Sequence, residues 1–104
     1  MEYTLHMVKM LRTAEFDNWL DNLKDRLAKS SVQARIDRLA KGNAGDVKPV
    51  GEGVSEMRIH AGAGYRVYFT RVGTTIVLLL CGGAKSSQNR DIERALEMAR
   101  ILKE

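Results

Sequence analysis

The 104 residues carry a formal net charge of +4, with 44% apolar and 29% charged residues, a balance that fits one globular domain (1–104) and excludes a disordered chain. The longest apolar run, Ile76-Val-Leu-Leu-Leu-Cys81, is far too short to span a bilayer, and the first residues lack the basic and apolar regions of a signal peptide. A single cysteine, Cys81, rules out an internal disulfide and points to a reducing cytoplasm.

Thr4 to Leu11 is rich in β-formers and predicts an opening strand. His6, within it, has no acid, cysteine or second histidine at ligand spacing and reads as structural. Thr13 stands where a helix cap belongs, with Glu15 and Asp17 in the first turn to suit the helix N-terminus. Phe16, Trp19, Leu20, Leu23 and Leu27 fall on one face at helical spacing, so the tryptophan reads as core. Ser30-Ser31 predicts a break before a second helix with Val32, Ile36 and Leu39 on its apolar side. Lys41-Gly42-Asn43 is its stop signal. The exposed face of this helical hairpin carries Asp21, Lys24, Asp25, Arg35 and Asp37, whose mixed signs suit solvent or a protein partner.

Val47 to Val50 predicts a short strand that Pro49 confines to a sheet edge. From Gly53 to Thr70, apolar and polar residues alternate on both sides of Gly62-Ala63-Gly64, the mark of a β-hairpin. A three-residue loop pairs Ala61 with Tyr65, Ile59 with Val67, Met57 with Phe69, His60 with Arg66 and Arg58 with Tyr68. One face is then apolar, and the other carries Glu56, Arg58, His60, Arg66 and Tyr68 as a candidate working surface. Val72-Gly73-Thr74 is the next turn. Thr75 to Cys81 is apolar on both faces and predicts a central strand, ended by Gly82-Gly83. Ser86 or Ser87 then caps a last helix burying Ile92, Ala95, Leu96, Ala99 and Leu102. The expected class is α+β: an N-terminal strand and helical hairpin, an antiparallel meander and a C-terminal helix.

Charge is concentrated in one stretch. Between Gly53 and Arg90 the bases are Arg58, Arg66, Arg71, Lys85 and Arg90 and the acid is Glu56, so this stretch holds the whole net charge. Such a patch favours a polyanion, nucleic acid first. Gly82-Gly-Ala-Lys-Ser-Ser87 imitates a phosphate-binding loop, but Leu79 and Ala84 occupy its two required glycine positions. What survives is Lys85 beside a helix N-terminus. Two distant histidines and one cysteine give no metal-ligand spacing, and no cofactor is implied. RNA cleavage without metal remains feasible, because preorganised cations stabilise charge developing on a phosphate. Arg58 and Arg66 from neighbouring strands, with Lys85, are the candidate clamp. Histidine as a residue type suits general-base work, which makes His60 a candidate, although a solvent-facing hairpin-end residue is its plainer reading. Tyr68 suits stacking on a base or packing over the stem of Arg58, while Tyr65 falls on the apolar face.

The segments Glu15-Phe-Asp-Asn-Trp-Leu, Leu23-Lys-Asp, Gly42-Asn-Ala-Gly-Asp-Val-Lys48, Gly51-Glu-Gly-Val-Ser-Glu-Met-Arg58, Gly62-Ala-Gly-Tyr-Arg-Val-Tyr-Phe69 and Leu79-Leu-Cys-Gly-Gly-Ala-Lys-Ser-Ser-Gln88, with Asp91-Ile92, occur in this order. Together they resemble the HigB-like addiction-module killer proteins of the RelE/ParE toxin superfamily. The resemblance implies a RelE-type α+β fold and the toxin of a type II toxin–antitoxin pair, neutralised by a helix-turn-helix (HigA-like) antitoxin. It further implies ribosome-dependent cleavage of mRNA in the RelE manner or, as the alternative, non-catalytic inhibition of DNA gyrase in the ParE manner. By position it implies Lys48, Arg58, Arg66 and Lys85 as the basic active surface, with Tyr68 as aromatic partner. His60, which has no counterpart in the family pattern, and Arg71 and Arg90 join Lys48 as candidates for RNA contact from the charge of the chain itself.

Overall fold

The computed structural model describes residues 8–102; His6 and the first half of the expected opening strand lie outside them. The described part of that strand is β1 (Lys9–Arg12). Thr13 ends it and caps α1 (Ala14–Asp21), its hydroxyl oxygen accepting from the Phe16 amide at 3.0 Å. The break between the helices falls at residues 22–25 and not at Ser30-Ser31. Asp25 supplies the second cap by accepting from the Ala28 amide, so α2 (Arg26–Ala40) begins before the serines and runs through them. A serine inside a helix costs only about 0.5 kcal/mol, less than a good cap contributes. Leu27 therefore belongs to α2 and is 80% exposed instead of packing beside Leu20. Gly42, at φ +89°, closes α2 as expected.

Four further strands follow: β2 (Val47–Gly51), β3 (Val54–Ile59), β4 (Tyr65–Val72) and β5 (Ile76–Ala84). They form one sheet of order β1-β5-β4-β3-β2, with Pro49 on the β2 edge. The β2–β5 meander is antiparallel, and β1 joins β5 in parallel. Helices α1 and α2 cover one face through Phe16, Leu20, Val32, Ile36 and Leu39, packed on Met57, Val67, Phe69, Val77 and Leu79. The final helix α3 (Gln88–Leu102) covers the other through Ala95, Met98 and Ala99, packed on Val54, Tyr68, Leu80 and Cys81. Leu102, expected on its buried side, is 53% exposed. The class is the expected α+β.

Two details of the meander differ from expectation. The β3–β4 ladder pairs Ile59 with Tyr65, Arg58 with Arg66, Met57 with Val67 and Glu56 with Tyr68. This is two residues from the three-residue-loop register, with the turn spanning residues 60–64. A shift of two preserves the alternation of faces, so the apolar and polar sets stay intact while their partners change. Strand β5 also runs through Gly82 and Gly83 instead of ending there. Both glycines are required by close approach: a Cβ at Gly82 would collide with the Trp19 ring, and one at Gly83 with the Asp91 carboxylate. A β-bulge lies between the Tyr68–Cys81 and Phe69–Leu79 pairs. It puts consecutive residues Leu80 and Cys81 on the α3 side.

Candidate nucleic-acid interface

The polar face of the β3–β4 hairpin is not an open surface. α3 lies on it, and Glu56 and Tyr68 beneath that helix are wholly buried. The Glu56 carboxylate accepts from the Tyr68 hydroxyl at 2.9 Å, from Gln88 Nε2 at 3.0 Å and from Arg58 Nε at 3.2 Å. Arg66 Nε adds an ion pair at 3.7 Å. Burial opposes ionisation of this carboxyl more than any other single influence. The hydrogen bonds from Gln88, Tyr68 and Arg58 and the charge of Arg66 together outweigh it, and the pKa lies below the ordinary 4.5. The Tyr68 hydroxyl is driven the other way, first by burial and then by Glu56, and stays protonated. Tyr68, expected as a surface aromatic, is thus an internal donor that helps hold a buried anion.

Beyond the start of α3 the same hairpin face emerges. Arg58 and Arg66, cross-strand neighbours, meet Lys85 of the 3₁₀ turn Lys85–Ser87 that precedes α3. With His60, Ile59, Gly64 and Tyr65 they line one cleft of about 250 Å³. Glu56 is the floor that ties the two arginines together. Arg66 is only 11% exposed; its Nη1 donates to the Gly64 carbonyl at 2.9 Å, while its buried Nε has no hydrogen-bond partner. His60 sits in the turn and not in the ladder, 76% exposed, with Nε2 2.7 Å from Asp46 Oδ2. That contact holds the Asp46 carboxyl below its usual range.

Four of the residues singled out in the sequence therefore converge: Arg58, His60, Arg66 and Lys85. Arg90 lies next to them, lining with Lys85 a second cleft of about 360 Å³ over the start of α3. Lys48 is exposed on the β2 edge, paired in register with Glu56. Arg71 is at the far end of β4, its guanidinium 5.8 Å from the centre of the Phe69 ring. Neither lines the cleft. Two partners of the site escaped sequence reading. Glu56, placed on this face by alternation and the lone acid between Gly53 and Arg90, was given no role there. Gln88 and Asp46 reach Glu56 and His60 across distances that no local pattern encodes. Arg35, expected on a solvated face, donates instead to the carbonyls of Arg58, Ala44 and Asp46 and pins α2 to the hairpin end. Among the described residues no group of three or more His, Cys, Asp or Glu side chains is arranged to hold a metal ion.

Residues 18–103 match the family model described as Phage derived protein Gp49-like (DUF891). The chain belongs to this family. Gp49-like proteins are a phage-derived group of RelE/ParE-like addiction-module toxins, which places this chain within the toxin–antitoxin theme. A protein of Haemophilus influenzae (strain ATCC 51907 / DSM 11121 / KW20 / Rd), described only as an uncharacterized protein, is 46% identical over 95 residues. The match covers 91% of this chain and 96% of the relative. No solved structure matches the chain. For this Gp49-like protein an antitoxin partner follows from the family in general terms. Among the described residues no helix is long and apolar enough to cross a membrane.

Proposed function

We propose that this Gp49-like protein is the toxin of a type II toxin–antitoxin pair and that it cuts mRNA on the ribosome as a metal-independent endonuclease of the HigB kind. A helix-turn-helix antitoxin would neutralise it in the cytoplasm. The observation that carries this reading is the convergence of Arg58, Arg66, Lys85 and His60 on one cleft.

The chemistry needs no group beyond these side chains and the RNA. The 2′-hydroxyl gives up its proton and its oxygen bonds to the adjacent phosphorus. The bond from phosphorus to the 5′-oxygen breaks, and that oxygen takes a proton, leaving a 2′,3′-cyclic phosphate and a 5′-hydroxyl. Negative charge accumulates on the two non-bridging oxygens, where the guanidiniums of Arg58 and Arg66 and the ammonium of Lys85 oppose it. Because Glu56 fixes the arginines beforehand, little reorganisation is needed as the charge develops. His60, held through Nε2 by Asp46, keeps Nδ1 for proton transfer.

The test is to induce the wild-type protein and Lys85→Ala in cells, map mRNA 5′ ends and assay gyrase supercoiling in parallel. Lys85 is exposed and packs in neither half of the core, so its loss leaves the fold intact. New 5′ ends with wild type, reduced about a hundredfold in the variant, are expected. Inhibition of gyrase without new 5′ ends would overturn the nuclease reading in favour of the ParE-like one.

A further inference from the structure

We infer that single-stranded RNA lies along a continuous basic track that runs from α2, over the end of the β3–β4 hairpin, to the start of α3, with the cleavage cleft at its centre. The inference rests on the RNA-directed reading above and extends it to the flanking nucleotides. Its starting point is that three clefts adjoin. One of about 230 Å³ is lined by Ser31, Ala34, Arg35 and Arg38 of α2 together with Ile59 and His60. Ile59 and His60 also line the central cleft. Lys85, at the other side of the central cleft, also lines the cleft above the α3 entrance with Ser86, Gln88 and Arg90. Shared lining residues thus set the three clefts side by side.

Unpaired cations cluster along this path. Elsewhere Arg12 is paired with Asp17, Arg94 with Glu15 and Glu97, and Arg100 with Glu52, while Arg26, Arg71 and Lys48, which form no ion pair among the described residues, line none of the three clefts. Along it, Arg35, Arg38, Lys85 and Arg90 form no ion pair among the described residues, and Arg58 and Arg66 share the single carboxylate of Glu56. Arg35 makes its hydrogen bonds to main-chain carbonyls, which hold the guanidinium in place without neutralising it. Unpaired cations in a row, interleaved with the hydroxyls of Ser31 and Ser86 and the exposed ring of His60, match the repeating phosphates and bases of an unpaired strand. A duplex presents no free bases to such a groove.

The experiment measures binding of fluorescein-labelled, fully 2′-O-methylated oligoribonucleotides, which the protein cannot cut, by anisotropy at several salt concentrations. A 12-mer should bind at least tenfold more tightly than a 3-mer. Arg38→Ala and Arg90→Ala, at opposite ends of the track, should each weaken the 12-mer severalfold and flatten its salt dependence by about 0.7 in log–log slope for each phosphate no longer neutralised. Arg38→Ala should leave the 3-mer within twofold, and Arg100→Ala, on the paired surface, should alter neither. Equal affinity for the two lengths, or tighter binding of a duplex of the same length, overturns the track. A wild-type protein that still produces new mRNA 5′ ends while failing these binding criteria loses the track and keeps the nuclease reading. Length-dependent binding without any cleavage does the reverse.

Discussion

The Tyr68 hydroxyl donates to the Glu56 carboxylate at 2.9 Å across adjacent strands, and both side chains are wholly buried under α3. A buried anion is costly unless hydrogen bonds and cations surround it. Here Tyr68 and Gln88 supply the first from inside the fold, and Arg58 and Arg66 supply the second from the cleft. The interior and the candidate site are thereby one electrostatic unit.

Removing the anion should be felt as stability. Glu56→Gln leaves the largely buried Arg66 without its counter-charge, and urea denaturation at neutral pH should show a loss of about 3 kcal/mol. The pH dependence has a definite sign. Because the folded pKa lies below 4.5, the unfolded chain binds more protons just below that value, so stability falls as the pH drops from about 4.5 through the folded pKa. The gap between wild type and variant should therefore narrow through that acid range. A gap that stays constant down to about pH 2 would contradict an ionised Glu56.

Tyr68→Phe keeps the ring and deletes one donor to a charged acceptor, a change worth about 2 kcal/mol of stability. Chemical denaturation gives that figure, and mRNA 5′-end mapping gives the comparison that matters. A buried structural tyrosine predicts a less stable protein that still acts. An inactive variant of unchanged stability would return Tyr68 to the reacting groups.

At Gly82 the constraint is space. Alanine there would drive a methyl group into the Trp19 ring, itself wedged against Phe16 and Tyr65. Gly82→Ala should cost about 3 kcal/mol, read as a lowered melting temperature. Trimming the obstacle with Trp19→Leu in the same chain should recover part of the loss, whereas additive losses would mean the two do not touch.

Cys81 is buried between β5 and α3, and burial pushes its thiol up to about 12. A thiol reagent at about pH 8 should label the native protein hundreds of times more slowly than the guanidinium-unfolded chain. Rapid native labelling would place Cys81 at the surface.

Sequence alone went far because alternation and helical spacing respond to one physical demand, the removal of apolar side chains from water. It assigned Met57, Ile59, Val67 and Phe69 to one face and Glu56, Arg58, Arg66 and Tyr68 to the other, and the structure keeps both sets. Capping chemistry is equally local, so Thr13 and Gly42 bound their helices where expected. The α1–α2 break falls earlier than Ser30-Ser31 because two caps competed, and the Asp25 carboxylate accepts from the Ala28 amide.

The register, the covering of the polar face and the site itself belong to the tertiary structure. A slip of two residues leaves every face unchanged, so alternation cannot reveal it, yet it moved Tyr68 from Arg58 to Glu56 and His60 out of the ladder. Nor does a polar residue announce whether a helix will lie over it. That depends on α3 returning across β3–β5 with Gln88 opposite Glu56. Charge density in the chain marked which cations to watch. Only long-range packing decided that Arg58, Arg66, Lys85 and His60 share a cleft while Arg71 does not, because side chains far apart in sequence meet only when the sheet and α3 have closed around Glu56.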